Sequence, residues 1–312
     1  MRQKKKEKLI FAFAALTGVV ALAASITWVD ASVSGLDDRI DASRPAGQPN
    51  ILPRAELTLP EKARYDTSVG TIYCASTEEF GTATLVSKEH GFIFLTAAHL
   101  IVTDEMRRMR NYQNKKEFRK TLAKYAEGCQ VILINDSGRP FKDKNGRDIS
   151  RYDVDPLRIV VGGFLEELDS DWLAFAIRLN SDRGVVDDLE LLESAEAVNL
   201  LSINVTPRDG VAGRIIGFHH DVFPKHVKIK SYGDVWPLSP ARLLRQKSQT
   251  SLCHDIDTSG WASGSLILSK NNEAFAVHNG GNIKAGELAD CSYSGNFAVP
   301  ITPKMIESIH AL

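Results

Sequence analysis

Short apolar runs separated by turn residues recur along the chain between residues 68 and 301. Many of the runs are rich in β-branched or aromatic residues, which favour strands, and they form two groups of about six. The first group is SVGTIYCA, GTATLVS, GFIFLTAAHLIV, CQVILIN, LRIVVGG and WLAFAIRL, and the second contains GRIIGFHH, KHVKIKSYG, SGSLILS, EAFAVHN and NFAVPI. Two such groups predict an all-β protein built from two barrels or sandwiches.

Two segments depart from this β pattern. Residues 103–128 have helical composition, begin with acidic residues and end in Gly, so they predict a helical insertion. Between residues 104 and 127 there are eight Lys or Arg and four Asp or Glu, which indicates a solvated helix face or contact with an anionic membrane surface or acidic partner. At the C-terminus, Thr302 is a candidate N-cap before Pro303 and predicts a short helix.

The N-terminus joins a basic leader, MRQKKKEK, to an uninterrupted apolar run over residues 9–29. The run fits a signal peptide cleaved after Ala21-Leu22-Ala23, and it is also long enough to remain as a membrane anchor. A buried core helix is the third alternative, but such a helix rarely follows five positive charges. Both leading alternatives predict export of everything from Asp30 onward, with membrane contact through residues 9–29 if they are not cleaved.

The segment after this run, residues 31–62, is rich in Pro, Ser, Asp and Gly and is interpreted as a linker. The predicted globular domain then covers residues 63–312, with the first barrel at about 63–182 and the second at about 198–303. A formal net charge of -1 gives no concentrated basic face, so no nucleic-acid partner is predicted.

Four cysteines follow the apolar run: Cys74, Cys129, Cys253 and Cys291. Export and the lack of a CxxC spacing favour two disulfides over a metal site or a redox pair. Three connectivities are open from the sequence, and buried free thiols are the alternative. No metal site is predicted at His219, His220 and Asp221, because adjacent residues of a strand point to opposite faces and no further ligand pair lies at suitable spacing.

His99 directly follows an apolar strand run and two small residues in GFIFLTAAHLIV. A histidine at a strand end is often structural, but here GTATLVSKEHGFIFLTAAHL resembles the histidine region of chymotrypsin-like serine proteases. The resemblance implies two chymotrypsin-like β-barrels, with the helical insertion predicted above following the histidine. It also implies a general base at His99, followed along the chain by an aspartate and then by a nucleophilic serine.

Asp171 in SDWLAFAIRL is similar to the aspartate of this family, because it immediately precedes an apolar strand. Asp169 is an alternative, because residues two apart on an extended segment point to the same side. Asp171 could instead be a solvated loop carboxylate without a catalytic role. The stretch CHDIDTSGWASGSLILSKNNEAFAVHNGG resembles the nucleophile region of bacterial glutamyl endopeptidases, which aligns Ser263 with the nucleophile. The resemblance covers about residues 66–303 and includes GRIIGFHHD and GNFAVPIT in the second barrel.

Trp261 is the main departure from the family pattern, in which this position is normally Gly. The backbone N–H groups of Ser263 and Trp261 are the implied oxyanion donors. Since Trp is bulky and restricted to the ordinary φ/ψ regions, a wrongly turned peptide is expected to remove one donor. Losing such a donor lowers the rate by about 10²–10³-fold.

The resemblance also implies a substrate pocket. His278, followed by Gly280 and Gly281, is similar to the pocket strand that receives an acidic side chain, although such a histidine can also simply pack in the wall. Cys253 and Cys291 bracket this region and are expected to pair. Cys74 then pairs with Cys129.

The sequence therefore predicts an exported serine endopeptidase, periplasmic, secreted or membrane-anchored, that hydrolyses peptides or proteins through an acyl-enzyme without a cofactor. His99 is the predicted base, Asp171 its orienting carboxylate and Ser263 the nucleophile. A non-catalytic protein of the same fold that binds a peptide or protein partner is the alternative favoured by Trp261. A third hypothesis is an envelope-tethered interaction protein that binds its partner through the basic helix.

Overall fold

The computed structural model describes residues 57–103, 105–106, 115–135, 137–162, 171–179, 185–202, 211–219, 228–237, 252–254, 256, 258–281 and 296–312. These residues all belong to one compact unit, residues 31–312. The apolar run at residues 9–29 and most of the predicted linker lie outside the described residues. Among the helices that are described, none is long and apolar enough to cross a membrane.

The first barrel consists of six antiparallel strands that close on themselves in the order β1-β2-β3-β6-β5-β4. Each of the six runs predicted in this half overlaps one of the strands, although β2 and β5 begin before their predicted runs. Their bounds are β1 Val69–Cys74, β2 Glu79–Ser87, β3 Ile93–Thr96, β4 Cys129–Leu133, β5 Arg151–Val161 and β6 Leu173–Arg178. The alternation of apolar side chains along these strands fills the barrel interior, with Leu85, Phe94 and Phe175 fully buried.

The second barrel is also closed, with its six antiparallel strands in the order β10-β11-β12-β9-β8-β7. The bounds are β7 Val211–Phe218, β8 Lys228–Pro237, β9 Leu252–His254, β10 Leu266–Leu268, β11 Ala274–Gly281 and β12 Asn296–Pro300. The three-residue strand β9 was not among the predicted runs. Two closed six-stranded antiparallel barrels make up the chymotrypsin-like fold, which confirms the predicted fold class.

Both predicted helices are present within the described residues. Helix α2, Lys115–Ala126, lies in the predicted insertion and buries Phe118, Leu122 and Ala126, spaced four residues apart, against the first-barrel core. Helix α4, Pro303–His310, follows Thr302, whose hydroxyl oxygen accepts a hydrogen bond from the Met305 N–H at 3.2 Å. Its position as a C-terminal helix is as predicted.

Two further helices were not predicted. Helix α1, Leu59–Tyr65, begins inside the segment interpreted as a linker, and Leu57 ahead of it is already buried. The Thr58 N–H and hydroxyl both donate to the Glu61 carboxylate at 2.9 Å, which stabilises the first turn. Helix α3, Val185–Ser194, lies between the predicted bounds of the two barrels. The folded domain thus begins earlier than residue 63.

A disulfide joins Cys74 and Cys129, which are partners on the adjacent strands β1 and β4. This confirms the expected pairing of these two cysteines. Cys253 is also disulfide-bonded. Its expected partner, Cys291, lies outside the described residues.

One apolar core connects the two barrels. It contains Leu95 and Ala174 from the first barrel together with Ile216, Leu266 and Val277 from the second. Each barrel also has a core of its own. Since β3 and β10 both contribute to the shared core, the segments that follow β3 and precede β10 lie side by side.

Candidate active site

His99 lies on a short 3₁₀ turn, Ala98–Leu100, that directly follows strand β3. Asp171 lies two residues before strand β6, and β3 pairs with β6 so that Thr96 is opposite Leu173. This register brings the end of β3 next to the start of β6. The Asp171 carboxylate consequently accepts the His99 backbone N–H at 2.8 Å and lies 2.7 Å from the His99 Nδ1 atom.

Two contacts with the same carboxylate set the orientation of the His99 ring. When Nδ1 carries a proton and donates to Asp171, the Nε2 atom on the other side of the ring is an acceptor and can serve as a base. Asp169, the alternative carboxylate, lies outside the described residues. The structure therefore brings Asp171 and His99 together as predicted from the sequence.

Ser263 lies in the turn before strand β10, pressed against the first barrel. Its carbonyl accepts the Thr82 N–H at 2.8 Å. The next residue, Gly264, has a φ of 88°, and a Cβ there would overlap Thr96 and lie 2.9 Å from the Ala97 nitrogen. Since Ala97 is two residues before His99, glycine at position 264 allows the Ser263 turn to reach the histidine turn.

Asn279 links Ser263 to Asp171 and was not identified from the sequence. The Ser263 hydroxyl donates to the Asn279 carbonyl at 3.1 Å. With its side-chain nitrogen as the donor, the Asn279 amide reaches the Asp171 carbonyl at 3.1 Å. The residue follows His278 on β11, but its contacts depend on packing between the two barrels, which no local pattern indicates.

Trp261 adopts a φ of 76°, so the expectation that it stays in the ordinary φ/ψ regions was wrong. The Ala262 N–H donates to the Ser259 carbonyl at 3.1 Å, and positive φ at the third residue of such a turn is typical of type II. That position normally requires Gly or Asn, and a bulky residue there costs on the order of 1–3 kcal/mol.

Contacts with the first barrel hold Trp261 in this conformation. The Trp261 carbonyl accepts the Thr82 hydroxyl at 2.9 Å, and the indole ring lies 5.2 Å from the Phe80 ring. The peptide between Gly260 and Trp261, which carries the Trp261 N–H, is the one whose orientation differs between type I and type II turns. The backbone at Trp261 therefore takes the conformation that glycine favours despite the large side chain.

His278 is fully buried on β11 and is paired with a second histidine. Its Nδ1 atom lies 2.9 Å from the Nε2 atom of His254, a residue that the sequence reasoning did not identify. Burial lowers the pKa of the His254 imidazole to about 3. Burial also lowers the pKa of His278 well below its usual value, and the neighbouring His254 and His99 lower it further. Both rings are therefore neutral near pH 7.

Strand β11 is attached directly to the Ser263 turn. The Gly264 N–H donates to the His278 carbonyl at 2.7 Å, and the His278 N–H donates to the Ser265 carbonyl at 2.8 Å. Gly280 borders the serine, since a Cβ at that position would lie 3.9 Å from the Ser263 hydroxyl oxygen. Gly281 ends the strand.

Buried polar atoms around this turn have no hydrogen-bond partner within the described part of the chain. They include the Nε2 atom of His278 and the hydroxyl oxygens of Thr258 and Ser265, whose residues are all fully buried. Leaving such a group unpaired costs about 1–3 kcal/mol. Thr258, five residues before Ser263, was also not identified from the sequence.

Metal-ligating side chains do not gather in the part of the chain that is described: no group of three or more His, Cys, Asp or Glu could hold an ion there. His219 is buried just after β7. His220 and Asp221 lie outside the described residues.

Comparison with protein-family models and with curated proteins found no match. Among solved structures, the chain is similar to a Glu endopeptidase, with a TM-score of 0.51, 15% identity and coverage of 83% of this chain and 95% of the other. A thermostable serine protease AL20 from an extremophilic microorganism has a TM-score of 0.49, 10% identity and coverage of 79% and 97%. The protease Anisep from Arthrobacter nicotinovorans has a TM-score of 0.47, 10% identity and coverage of 78% and 94%.

The likeness to the Glu endopeptidase concerns the fold. The chain has the two-barrel fold of serine proteases, and His99, Asp171 and Ser263 lie where its barrels meet.

Proposed function

We propose that the protein is a serine endopeptidase in which His99, Asp171 and Ser263 carry out acyl transfer. The observation that carries the proposal is the double contact of the Asp171 carboxylate with the backbone and ring of His99, on a turn adjacent to Ser263. This arrangement leaves the Nε2 atom of His99 as the proton acceptor. A carboxylate that orients a histidine in this way also stabilises the imidazolium that forms.

In the proposed reaction, His99 Nε2 takes the hydroxyl proton as Ser263 Oγ attacks the peptide carbonyl. In the free protein this hydroxyl donates to the Asn279 carbonyl, and it turns to His99 when substrate binds. The backbone N–H groups of Ser263 and Trp261 stabilise the oxyanion. His99 then gives its proton to the leaving amine, and water hydrolyses the resulting ester to free Ser263.

The positive φ of Trp261 supports a working oxyanion site. The backbone at that position has the conformation that glycine favours, so the indole side chain does not force the peptide into the other turn type. Trp261 therefore no longer favours the non-catalytic alternative.

Export is part of the proposal. The basic leader and the apolar run at residues 9–29 direct residues from Asp30 onward out of the cytoplasm. A disulfide between Cys74 and Cys129 supports this location, because disulfides persist in oxidising compartments.

Labelling by a serine-directed phosphonofluoridate tests the proposed function. We expect one label per molecule on the exported domain, located by mass spectrometry at Ser263, because an activated serine beside a histidine is required for this reaction. Ser263→Ala should abolish labelling. Folded parent protein that remains unlabelled, yet binds peptides, would instead be a non-catalytic member of this fold.

We also propose that the enzyme cleaves after acidic residues. If His278 accepts a hydrogen bond from His254 at Nδ1, its Nε2 carries a proton that can be donated to a substrate carboxylate. The Thr258 hydroxyl is a second buried donor. In this proposal one substrate carboxylate accepts from both groups, which removes the penalty of leaving each of them buried and unpaired.

Matched peptides that differ only in Glu or Gln before the scissile bond measure this preference. We expect kcat/KM to favour Glu by about 100-fold. Two hydrogen bonds to a charged carboxylate contribute about 1.5–3 kcal/mol each, and the cost of desolvating the carboxylate offsets part of this gain. His278→Leu should reduce the ratio to about 10-fold or less, and Thr258→Val, which removes only the hydroxyl, should reduce it by a smaller factor. A parent enzyme with equal kcat/KM for Glu and Gln would refute the acidic preference alone.

A further inference from the structure

Three aromatic side chains form a continuous row beside the Ser263 turn: Tyr73, Phe80 and Trp261. The ring centroids of Tyr73 and Phe80 are 4.5 Å apart, and those of Phe80 and Trp261 are 5.2 Å apart. All three side chains are partly exposed. We call this set the aromatic row.

The row begins at the candidate nucleophile and runs away from it across the first barrel. Phe80 and Thr82 are two residues apart on β2, so their side chains share a face of the strand. Thr82 contacts both ends of the nucleophile turn, since its N–H donates to the Ser263 carbonyl and its hydroxyl donates to the Trp261 carbonyl. Tyr73 on β1 lies directly opposite Phe80 and extends the row outward.

Ser263 lies between this row and strand β11. On the β11 side, Asn279 accepts the serine hydroxyl, and His278 and Gly280 border the turn. That side contains the buried donors proposed above to receive the side chain before the scissile bond. A substrate chain that crosses Ser263 therefore leaves on the other side, over β2 and the aromatic row.

Trp261 is the member of the row that is held in a strained conformation. Trp261 adopts a φ of 76°. Glycine would adopt this angle without steric cost, whereas for tryptophan the angle is strained. What the tryptophan side chain adds is an indole ring two residues from Ser263, in contact with Phe80. The strained backbone of Trp261 thus places an apolar ring surface next to the candidate nucleophile, Ser263.

We propose that the aromatic row binds the residues that directly follow the scissile bond and selects an aromatic or large apolar side chain there. An extended peptide advances about 3.3 Å per residue, so a row of this length contacts roughly the first two or three of those residues. Burial of an aromatic side chain against other rings favours it over glycine by about tenfold or more. The inference rests on the proposed serine endopeptidase function.

Acyl transfer tests this surface independently of the pocket on the β11 side. N-acetyl phenyl esters of glutamate and of leucine acylate Ser263 and release phenol. An added amino-acid amide then attacks the acyl-enzyme carbonyl: the new amide bond forms, the ester bond to Ser263 breaks, and the amine proton passes through His99 to the serine oxygen. The ratio of transfer to hydrolysis measures how well the amide occupies the leaving side.

With the parent enzyme we expect phenylalanine amide to be used about tenfold better than glycine amide, which corresponds to about 1.4 kcal/mol. Tyr73→Ala and Phe80→Leu should each lower this preference by about threefold. The preference is a ratio within one enzyme, so a general loss of activity in a variant does not change it. Leu157→Ala, at an exposed leucine on β5, is the matched control and should keep the parental ratio.

The possible outcomes separate the two proposals. Ester hydrolysis no faster than in Ser263→Ala would overturn the proposed function, and the aromatic subsite with it. Hydrolysis with equal use of phenylalanine and glycine amides would overturn the subsite alone. A parental preference that survives in both aromatic variants would show that another surface selects the leaving side.

Discussion

Replacement of Ser263 by alanine is expected to lower kcat for peptide hydrolysis by about 10⁶-fold, because the nucleophile of the acyl-enzyme is lost. Asp171→Asn should lower kcat by about 10⁴-fold, since the amide no longer holds His99 in the tautomer whose Nε2 accepts a proton. Both effects are measured with purified exported domain and a fluorogenic peptide, with active-site labelling to count functional molecules.

Ser265→Ala is the matched control for Ser263→Ala. Ser265 is two residues away, and its buried hydroxyl has no hydrogen-bond partner within the described part of the chain, so its removal should change kcat by less than tenfold. Retention of parental activity by Ser263→Ala, with Ser265→Ala equally active, would be incompatible with the proposed nucleophile.

Glu61→Gln is expected to lower the free energy of unfolding by about 3 kcal/mol, because two cations of the second barrel lose their charged partner. Glu61 on helix α1 lies 2.6 Å from Lys230 and 3.3 Å from Arg214. The Lys230 side chain is only 5% exposed and that of Arg214 is 15% exposed. Urea unfolding at pH 7 measures the loss.

The same ion pairs predict a pH dependence. Burial opposes ionisation of Glu61, but hydrogen bonds from Lys230 and Thr58 outweigh it and hold the pKa of this carboxyl below its usual value. A lowered pKa in the folded state contributes stability above the unfolded value of about 4.3, and this contribution is lost as the pH falls through the folded value. Parent and Glu61→Gln should therefore converge in stability as the solution is acidified below about pH 4.

Glu307→Gln on the exposed face of helix α4 is the control and should change stability by less than about 0.5 kcal/mol. A Glu61→Gln variant as stable as this control at pH 7 would mean that α1 is not held to the second barrel by these charges.

Local signals were sufficient for most strands because alternation and β-branched composition act over neighbouring residues. The six runs of the first half each overlap a strand, whereas β9 was missed. It has three residues, too few to show a period, and unlike the equally short β10, whose residues are all apolar, it includes His254. The start of helix α1 could have been predicted from the sequence, because Thr58 followed three residues later by Glu61 is a capping-box pattern. The interpretation of this segment as a linker did not take the pattern into account.

The residues of the candidate site also fall into those identified from the sequence and those that only the structure brought together. The resemblance to the serine proteases picked out His99, Asp171 and Ser263 in order, and the pairing of β3 with β6 explains why the first two meet. His254 and Asn279 were not identified from the sequence, because each contacts a site residue that is distant from it along the chain. His254 lies 24 residues before His278, and Asn279 lies 16 residues after Ser263.

By itself, the sequence determined the all-β class, the two groups of strands, the helical insertion, the C-terminal helix and the order of the candidate catalytic residues. The strand and helix features follow from side-chain periodicity, composition and capping, which operate over a few neighbouring residues. The order of the candidate catalytic residues follows from the resemblance to chymotrypsin-like serine proteases. Only the tertiary structure decided the conformation of Trp261. Its positive φ opposes the local preference of tryptophan and is maintained by Thr82 and Phe80 on the other barrel, with Thr82 lying 179 residues away along the chain.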